Sequence, residues 1–177
     1  HIEAGLRSFN RRMPEEKNRI VADHLSDLCF SPNNKAHIQL RNEGIPNKRI
    51  INSGDVMVDA AMHFSNSALE NSKIRNHLKI PERYKIILAT IHRAENTNSK
   101  EILQNIFKAI NDFAIKMSNE LKIIIPLHPR TKKKIEEFKL QEFTENVTIC
   151  SPLSYIDLIY IQKKAELIIT DSGGIQK

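Results

Sequence analysis

Apolar residues along this chain gather into short runs that alternate with segments where they recur every three or four positions. Lys85-Ile86-Ile87-Leu88-Ala89-Thr90-Ile91 is an almost unbroken apolar run of strand length, and 121–127, 147–150 and 167–170 repeat the pattern. Such runs fit strands buried on both faces. Between them, 100–117 has helical spacing, which predicts Ile102, Leu103, Ile106, Ala109, Ile110 and Phe113 on one face. Residues 132–140 and 158–163 also read as helical. Earlier in the chain, Leu28-Cys29-Phe30 is a short run ended by Ser31-Pro32. Asn33 or Asn34 can cap a helix that lasts to about residue 43, where Gly44 stops it. Residues 49–52 read as a strand broken at Gly54. Residues 56–78 are helical, with a break near Asn71-Ser72. The opening His-Ile-Glu-Ala has the look of a strand end, and Pro14 suits the first turn of a helix.

Strand and helix alternating in this way predict an α/β fold with a parallel sheet and helices on both faces. Right-handed crossovers then bring the loops after the strands to one edge, where ligands bind. The polar stretch 52–83 separates two such runs. The expected organisation is therefore 1–54 as the closing part of one lobe, 55–84 as the connection, and 85–177 as the opening part of a second lobe. A run of about 50 residues buries too little surface to stand alone. The chain accordingly reads as the middle of a larger enzyme, with its acidic opening segment and closing Ser-Gly-Gly serving one phosphate-ligand site.

Composition narrows the classes. The 177 residues are 40% apolar and 27% charged, as in a globular domain rather than a disordered chain. No run approaches the ~20 apolar residues of a membrane span, and the opening residues do not form a secretory signal. Cys29 and Cys150 lie far apart in apolar runs, which predicts two buried free thiols and suits a reducing cytoplasm. No Cys/His cluster has zinc spacing. The net charge of +6 fits nucleic acid, an acidic membrane surface or a phosphorylated small molecule. Aromatics are 6% with no Trp, so the interleaving that a single-strand binder needs is missing. The densest basic run, Lys132-Lys133-Lys134, is followed by Glu136-Glu137 and reads as a solvated helix face.

Four clusters stand at predicted strand ends. His1-Ile2-Glu3-Ala4-Gly5-Leu6-Arg7 leads to Met13-Pro14-Glu15-Glu16-Lys17-Asn18-Arg19. These acids read either as ordinary helix-start chemistry or as carboxylates able to move a proton. Thr90-Ile91-His92-Arg93-Ala94-Glu95-Asn96 puts a His-Arg pair at the ligand edge, where Arg offers fork-shaped donors to phosphate. Pro126-Leu127-His128-Pro129-Arg130 places a second His at a strand end, with structural and binding roles evenly matched. Thr170-Asp171-Ser172-Gly173-Gly174-Ile175 is a Gly-rich turn at which a helix is expected to begin and hold a phosphate. It is neither a G-x-G-x-x-G nor a Walker A loop.

In this order and spacing, HIEAGLRS, MPEEKNR, TIHRAEN, LHP and TDSGGIQK resemble the non-hydrolysing UDP-N-acetylglucosamine 2-epimerase family, from the first residue to the last. RSFNRRMPEEKNRIVADHLSD with ATIHRAEN is most similar to the branch acting on UDP-2,3-diacetamido-2,3-dideoxyglucuronate. The resemblance implies a GT-B fold of two Rossmann-like lobes. It implies inversion at C2 of a UDP-2-acetamido sugar, with UDP eliminated to a glycal and then added back. It makes Glu3, Glu15 and His92 catalytic, and puts Arg19, Arg93, His128, Ser172 and Gly173 in substrate-binding motifs. It implies no cofactor and no metal, a cytoplasmic homodimer at full length, no nucleic-acid or membrane partner, and a role in surface-polysaccharide precursors. The family's N-terminal basic segment and catalytic Asp, and an acidic residue soon after DSGGIQ, have no counterpart in the chain. The 177 residues alone are therefore expected to be inactive.

The chemistry agrees with such roles. A C2 proton of this sugar becomes acidic only as the C1–O bond to UDP breaks, so the leaving diphosphate must be held. Inversion needs a base on one face and a proton donor on the other. The competing expectations are a glycosyltransferase, a hydrolysing relative that releases UDP, and a non-catalytic nucleotide-sugar-binding module.

Overall fold

The computed structural model describes residues 1–176. The chain divides into two compact units, one over His1–Ala60 and a second from Ala61 onward.

The first unit is small. Helix α1 (Pro14–Leu25) starts with proline at its first position and Glu15 and Glu16 in its first turn, where acids offset the helix dipole. Strand β1 (Cys29–Ser31) pairs in parallel with β2 (Ile50–Asn52), Cys29 opposite Ile50. Ile2 adds a single parallel bridge to Phe30, so the opening residues do run as a strand end. Between the strands, α2 (Asn34–Asn42) is capped by the Asn33 side chain, which accepts from Ala36 N at 2.9 Å. Gly44, at φ +86°, closes that helix as the Ile45 amide turns back to Leu40 O. Ala4, Cys29, Leu40, Ile45 and Ile50 form the core.

The second unit holds a four-stranded parallel sheet ordered β5-β4-β3-β6, from β3 (Lys85–Thr90), β4 (Leu121–Pro126), β5 (Thr148–Cys150) and β6 (Ala165–Thr170). Alternate residues of β3 face opposite layers. Ile87 and Ala89 join Ile123 and Ile125 under α6 (Lys100–Lys116) and α7 (Pro129–Glu137). Ile86 and Leu88 join Ile124 beneath α8 (Tyr155–Lys164), together with Ala68, Ile74 and Ile80. The long helical stretch is two helices, α3 (Val56–Asn71), which begins in the first unit, and α4 (Ile74–His77). One further turn, α5 (Ala94–Thr97), follows β3.

Several expectations need correction. The buried stripe of α6 is Leu103, Phe107, Ile110 and Ala114, whereas Ile102 and Phe113 are exposed. Apolar residues occur on more than one side of this helix, so spacing alone could not choose the buried face. Helix α7 begins at Pro129 rather than 132, and α8 at Tyr155 rather than 158. Helix α8 starts with Ser154 accepting from Asp157 N, an Ser-x-x-Asp cap. Cys29 is buried, but Cys150 is only half-buried, because β5 is an edge strand paired with β4 alone. After Asp171 residues 173–176 form a turn, with Ile175 N donating to Ser172 O; the helix expected to follow lies beyond the described residues.

Gly5 and Gly44 allow a controlled comparison. Both have positive φ, but a Cβ at Gly5 would lie 2.4 Å from Ala36 O, while one at Gly44 meets nothing. Gly44→Ala should therefore cost only the left-handed backbone penalty, roughly 1 kcal/mol. Gly5→Ala should cost at least about 2 kcal/mol more, because α2 must also move. Denaturant midpoints of the two variants in the intact protein check this; equal losses would contradict the packing account.

Candidate functional site

In the first unit the opening segment is clamped from below. Asp23, fully buried on α1, accepts from Gly5 N at 3.1 Å and Arg7 Nη2 at 2.6 Å, and stands 2.5 Å from His1 Nδ1. Arg7 in turn forks onto Glu43, Nε to Oε1 at 2.8 Å and Nη2 to Oε2 at 2.5 Å. Burial works against the Arg7 charge, but its bonds to Glu43 and Asp23 outweigh that and raise its pKa further. Within this clamp Glu3 is half-buried and held at φ +67°, a conformation an L-residue visits at a cost of about 1–2 kcal/mol. Strain of that kind persists where neighbouring bonds impose it and concentrates at functional positions.

The paired acids at the start of α1 divide their work. Glu16 is buried and accepts from Ser8 N and Phe9 N, both at 2.9 Å, with Arg19 Nη1 at 3.3 Å. Burial tends to raise its pKa, but the Ser8 and Phe9 amides, the Ser8 hydroxyl and Arg19 outweigh it and lower the value. Glu16 thus fixes the Ser8-Phe9 loop. Glu15 is exposed and makes no hydrogen bond or ion pair among the described residues. The structure places the predicted Glu3, Glu15 and Arg19 in this unit, with Arg19 resting on Glu16.

In the second unit the predicted His92, Arg93, His128, Ser172 and Gly173 all follow the C-terminal ends of β3, β4 and β6. The ends are tied to one another. Thr90 Oγ1 and Thr170 Oγ1 share a hydrogen bond of 2.6 Å. The buried Thr131 hydroxyl donates to Ile91 O at 2.9 Å, joining α7 to the end of β3. Asp171, to which the sequence reading gave no role, accepts from His92 N at 3.0 Å, Arg93 N at 2.9 Å and Asn96 Nδ2 at 2.9 Å. His92 Nδ1 lies 3.0 Å from its Oδ1. Burial opposes the Asp171 charge, but Arg93 N, Asn96, His92 N and the His92 ring outweigh it and hold the carboxyl below its ordinary range.

His128 caps α7: its Nδ1 accepts from Arg130 N at 3.2 Å. An accepting Nδ1 leaves the ring proton on Nε2, so the structural and binding roles are compatible. Ser172 N donates to Thr170 Oγ1 at 2.9 Å, which leaves its hydroxyl as the group available to a ligand. A Cβ on Gly173 would meet no atom within 4 Å, so the glycine leaves open space beside the turn. A cavity of about 240 Å³ lies here, bordered by Thr90, His92, His128, Pro152, Leu153 and Ile175. Its prolines and aliphatic side chains make an apolar slot with two imidazoles at its rim. Among the described residues no three His, Cys, Asp or Glu side chains group as a metal site requires. No described helix is long and apolar enough to cross a membrane.

Reasoning from sequence missed Glu16, Asp23 and Asp171 as organisers. Asp171 had a signal, since it stands directly before the Ser-Gly-Gly turn. Asp23 had none, because its partners are 16 to 22 residues away in the chain.

A family profile described as UDP-N-acetylglucosamine 2-epimerase matches residues 1–177. A UDP-N-acetylglucosamine 2-epimerase homolog of Methanococcus maripaludis is 48% identical over all of the chain and 48% of its own length. The UDP-2,3-diacetamido-2,3-dideoxy-D-glucuronate 2-epimerase of Pseudomonas aeruginosa is 42% identical, again over all of the chain and 47% of its own length. The crystal structure of Methanocaldococcus jannaschii UDP-GlcNAc 2-epimerase in complex with UDP-GlcNAc and UDP superposes with a TM-score of 0.85 at 40% identity, over 99% of the chain and 49% of that protein. The chain thus spans about half the length of the curated relatives it matches.

The lowered pKa of Glu16 sets a pH dependence. A carboxyl whose folded value lies below its ordinary 4.5 contributes fully above that pH, and loses its contribution as pH falls through the folded value. Glu16→Gln should therefore lower the denaturation midpoint of the intact protein at pH 7, and the gap from the unsubstituted protein should close at acid pH, below the folded value of Glu16. A gap of the same size at both pH values would contradict the assignment.

Proposed function

Because the chain belongs to the UDP-N-acetylglucosamine 2-epimerase family, and is an α/β protein of the GT-B-like kind, we propose that the protein inverts C2 of a UDP-2-acetamido sugar without net hydrolysis. The observation that carries this reading is the rim of the second unit's cavity. His92 and His128 border an apolar slot at parallel strand ends that suits a flat pyrimidine base, and Arg93 and Ser172 follow the ends of β3 and β6.

The reaction runs in two halves. The C1–O bond to UDP breaks as a carboxylate removes the C2 proton, giving a glycal and UDP. A proton is then delivered to C2 from the opposite face, and UDP adds back at C1. Glu3 and Glu15 are the proton-transfer groups, the first fixed by the strained turn and the second exposed at the start of α1. His92 and Arg93 meet the charge of the departing diphosphate, since donors aimed at developing charge give the largest catalytic terms, and Arg19 is a substrate-binding group of the first unit. His128 donates through Nε2, and Ser172 with the open side of Gly173 completes the binding surface. The chemistry involves no net redox change, so no nicotinamide cofactor is required. At full length the protein is proposed to be a cytoplasmic homodimer making a precursor of a surface polysaccharide.

Incubating the intact protein with UDP-N-acetylglucosamine in D₂O should place deuterium at C2 of both epimers without accumulating UDP. Steady release of UDP would favour a hydrolase or a transferase instead. Glu3→Gln and Glu15→Gln should each lower kcat by about 10²- to 10⁴-fold, the usual share of a general acid or base. Full activity in both variants would move the proton transfer to other residues.

A further inference from the structure

We infer that Asp171 is a positioning residue that sets the protonation geometry of His92 and locks the turn after β3 to the turn after β6. The inference rests on the reading of His92 as a diphosphate-holding group and deepens it. Its basis is the saturation of one carboxylate by a single loop. Asp171 Oδ2 takes the amides of His92 and Arg93 and the side-chain amide of Asn96, at 2.9–3.0 Å. Oδ1 faces the His92 amide at 3.1 Å and its ring Nδ1 at 3.0 Å. The residue itself is anchored from below, its amide donating to Thr90 O and its neighbour Ser172 bonded to Thr170 Oγ1. His92, Arg93 and Ser172 therefore share one frame although 78 to 80 positions of chain separate the two turns.

The consequence for His92 follows from the two ring nitrogens. A carboxylate oxygen beside Nδ1 can only accept, so Nδ1 must carry a proton. Nε2 then points away from Asp171, with no hydrogen-bond partner among the described residues. When the ring is doubly protonated, Nε2 donates outward to an anion. When it is singly protonated, Nε2 is a bare acceptor that can take a proton. Holding a leaving diphosphate requires the first state, and Asp171 is the acceptor that accommodates it. His128 is the opposite case: its Nδ1 accepts from Arg130 N, so its proton is on Nε2.

Asp171→Asn separates this role from simple support. The Asn oxygen can occupy the Oδ2 position and keep the three amide donors, while its NH₂ meets His92 Nδ1. That contact requires Nδ1 to accept, which moves the ring proton to Nε2 and removes the doubly protonated state. Asp171→Ala removes the clamp altogether. The experiment uses the intact protein with ¹⁵N-labelled histidine, alongside turnover of UDP-N-acetylglucosamine by wild type, Asp171→Asn, His92→Ala and the double variant.

The expected results are a proton on His92 Nδ1 in the wild type and on Nε2 in Asp171→Asn. Turnover in Asp171→Asn should fall about 10- to 100-fold, the worth of one charged hydrogen bond, with the denaturation midpoint little changed. In the His92→Ala background the Asp171→Asn change should cost less than about twofold, because both act through one ring. Multiplicative losses in the double variant, or an unshifted ring proton, would overturn the inference while leaving the His92 reading intact. Full turnover by His92→Ala would overturn both. If Asp171→Asn lowers the midpoint as much as Asp171→Ala does, the residue is structural support and the positioning role fails.

Discussion

An ionised carboxylate withdrawn from water costs several kcal/mol unless donors meet it, and each unit of this protein organises its functional turn around that requirement. In the first unit Asp23 is wholly buried, and its donors are Gly5 N, the Arg7 guanidinium and the His1 ring. Those donors lie on either side of Glu3, so satisfying Asp23 dictates where Glu3 sits. In the second unit Asp171 draws its donors from the residues that carry His92 and Arg93. Asp23 is fully buried, and the Asp171 side chain is 11% exposed. Each uses the demand for compensation to hold other side chains still, which is what a preorganised site needs.

Much of the fold was legible because burial on both faces of a parallel sheet leaves few alternatives. The run 85–91 reads as a buried strand, and the strand it forms, β3, lies between β4 and β6. The helix ends were legible where local chemistry marks them, as with Asn33 at the start of α2 and Gly44 at its end. Expectation failed where tertiary packing decides. The buried face of α6 depends on which apolar stripe meets β3 and β4, and Phe107 rather than Phe113 was chosen. Helix α7 starts early because His128 turns its own ring back as a cap, a role its sequence position beside Pro129 does not announce.

The proposed functional residues divide along the same line. His92, Arg93, His128 and Ser172 were legible because they follow strand ends, and strand ends in this topology share an edge. Residue chemistry alone did not separate Glu15 from Glu16, and the family resemblance selected Glu15; burial separates them too, giving Glu16 to the loop and leaving Glu15 exposed. The organising acids were the hard part. A residue whose work is to accept from distant amides carries no local pattern, because its identity as a clamp resides in its partners.

The Asp171 arrangement also changes how a phosphate would be held. The expected device was a helix N-terminus whose free amides cradle the anion. Around the strand ends three amides are already committed: His92 N and Arg93 N to Asp171, and Ser172 N to Thr170 Oγ1. Residues 173–176 form a turn. The side chains proposed to meet an anion are His92 through Nε2, the Arg93 guanidinium, the Ser172 hydroxyl and His128 through Nε2. A carboxylate at this position would repel a diphosphate if it stood bare. Ringed by donors, its charge is spent within the protein, while the cations it orders keep theirs for the ligand. Such a cradle differs from an amide nest in one physical respect. Two of its four groups are imidazoles, so its affinity for a leaving diphosphate depends on protonation, and the same groups that hold the charge can also trade a proton with it.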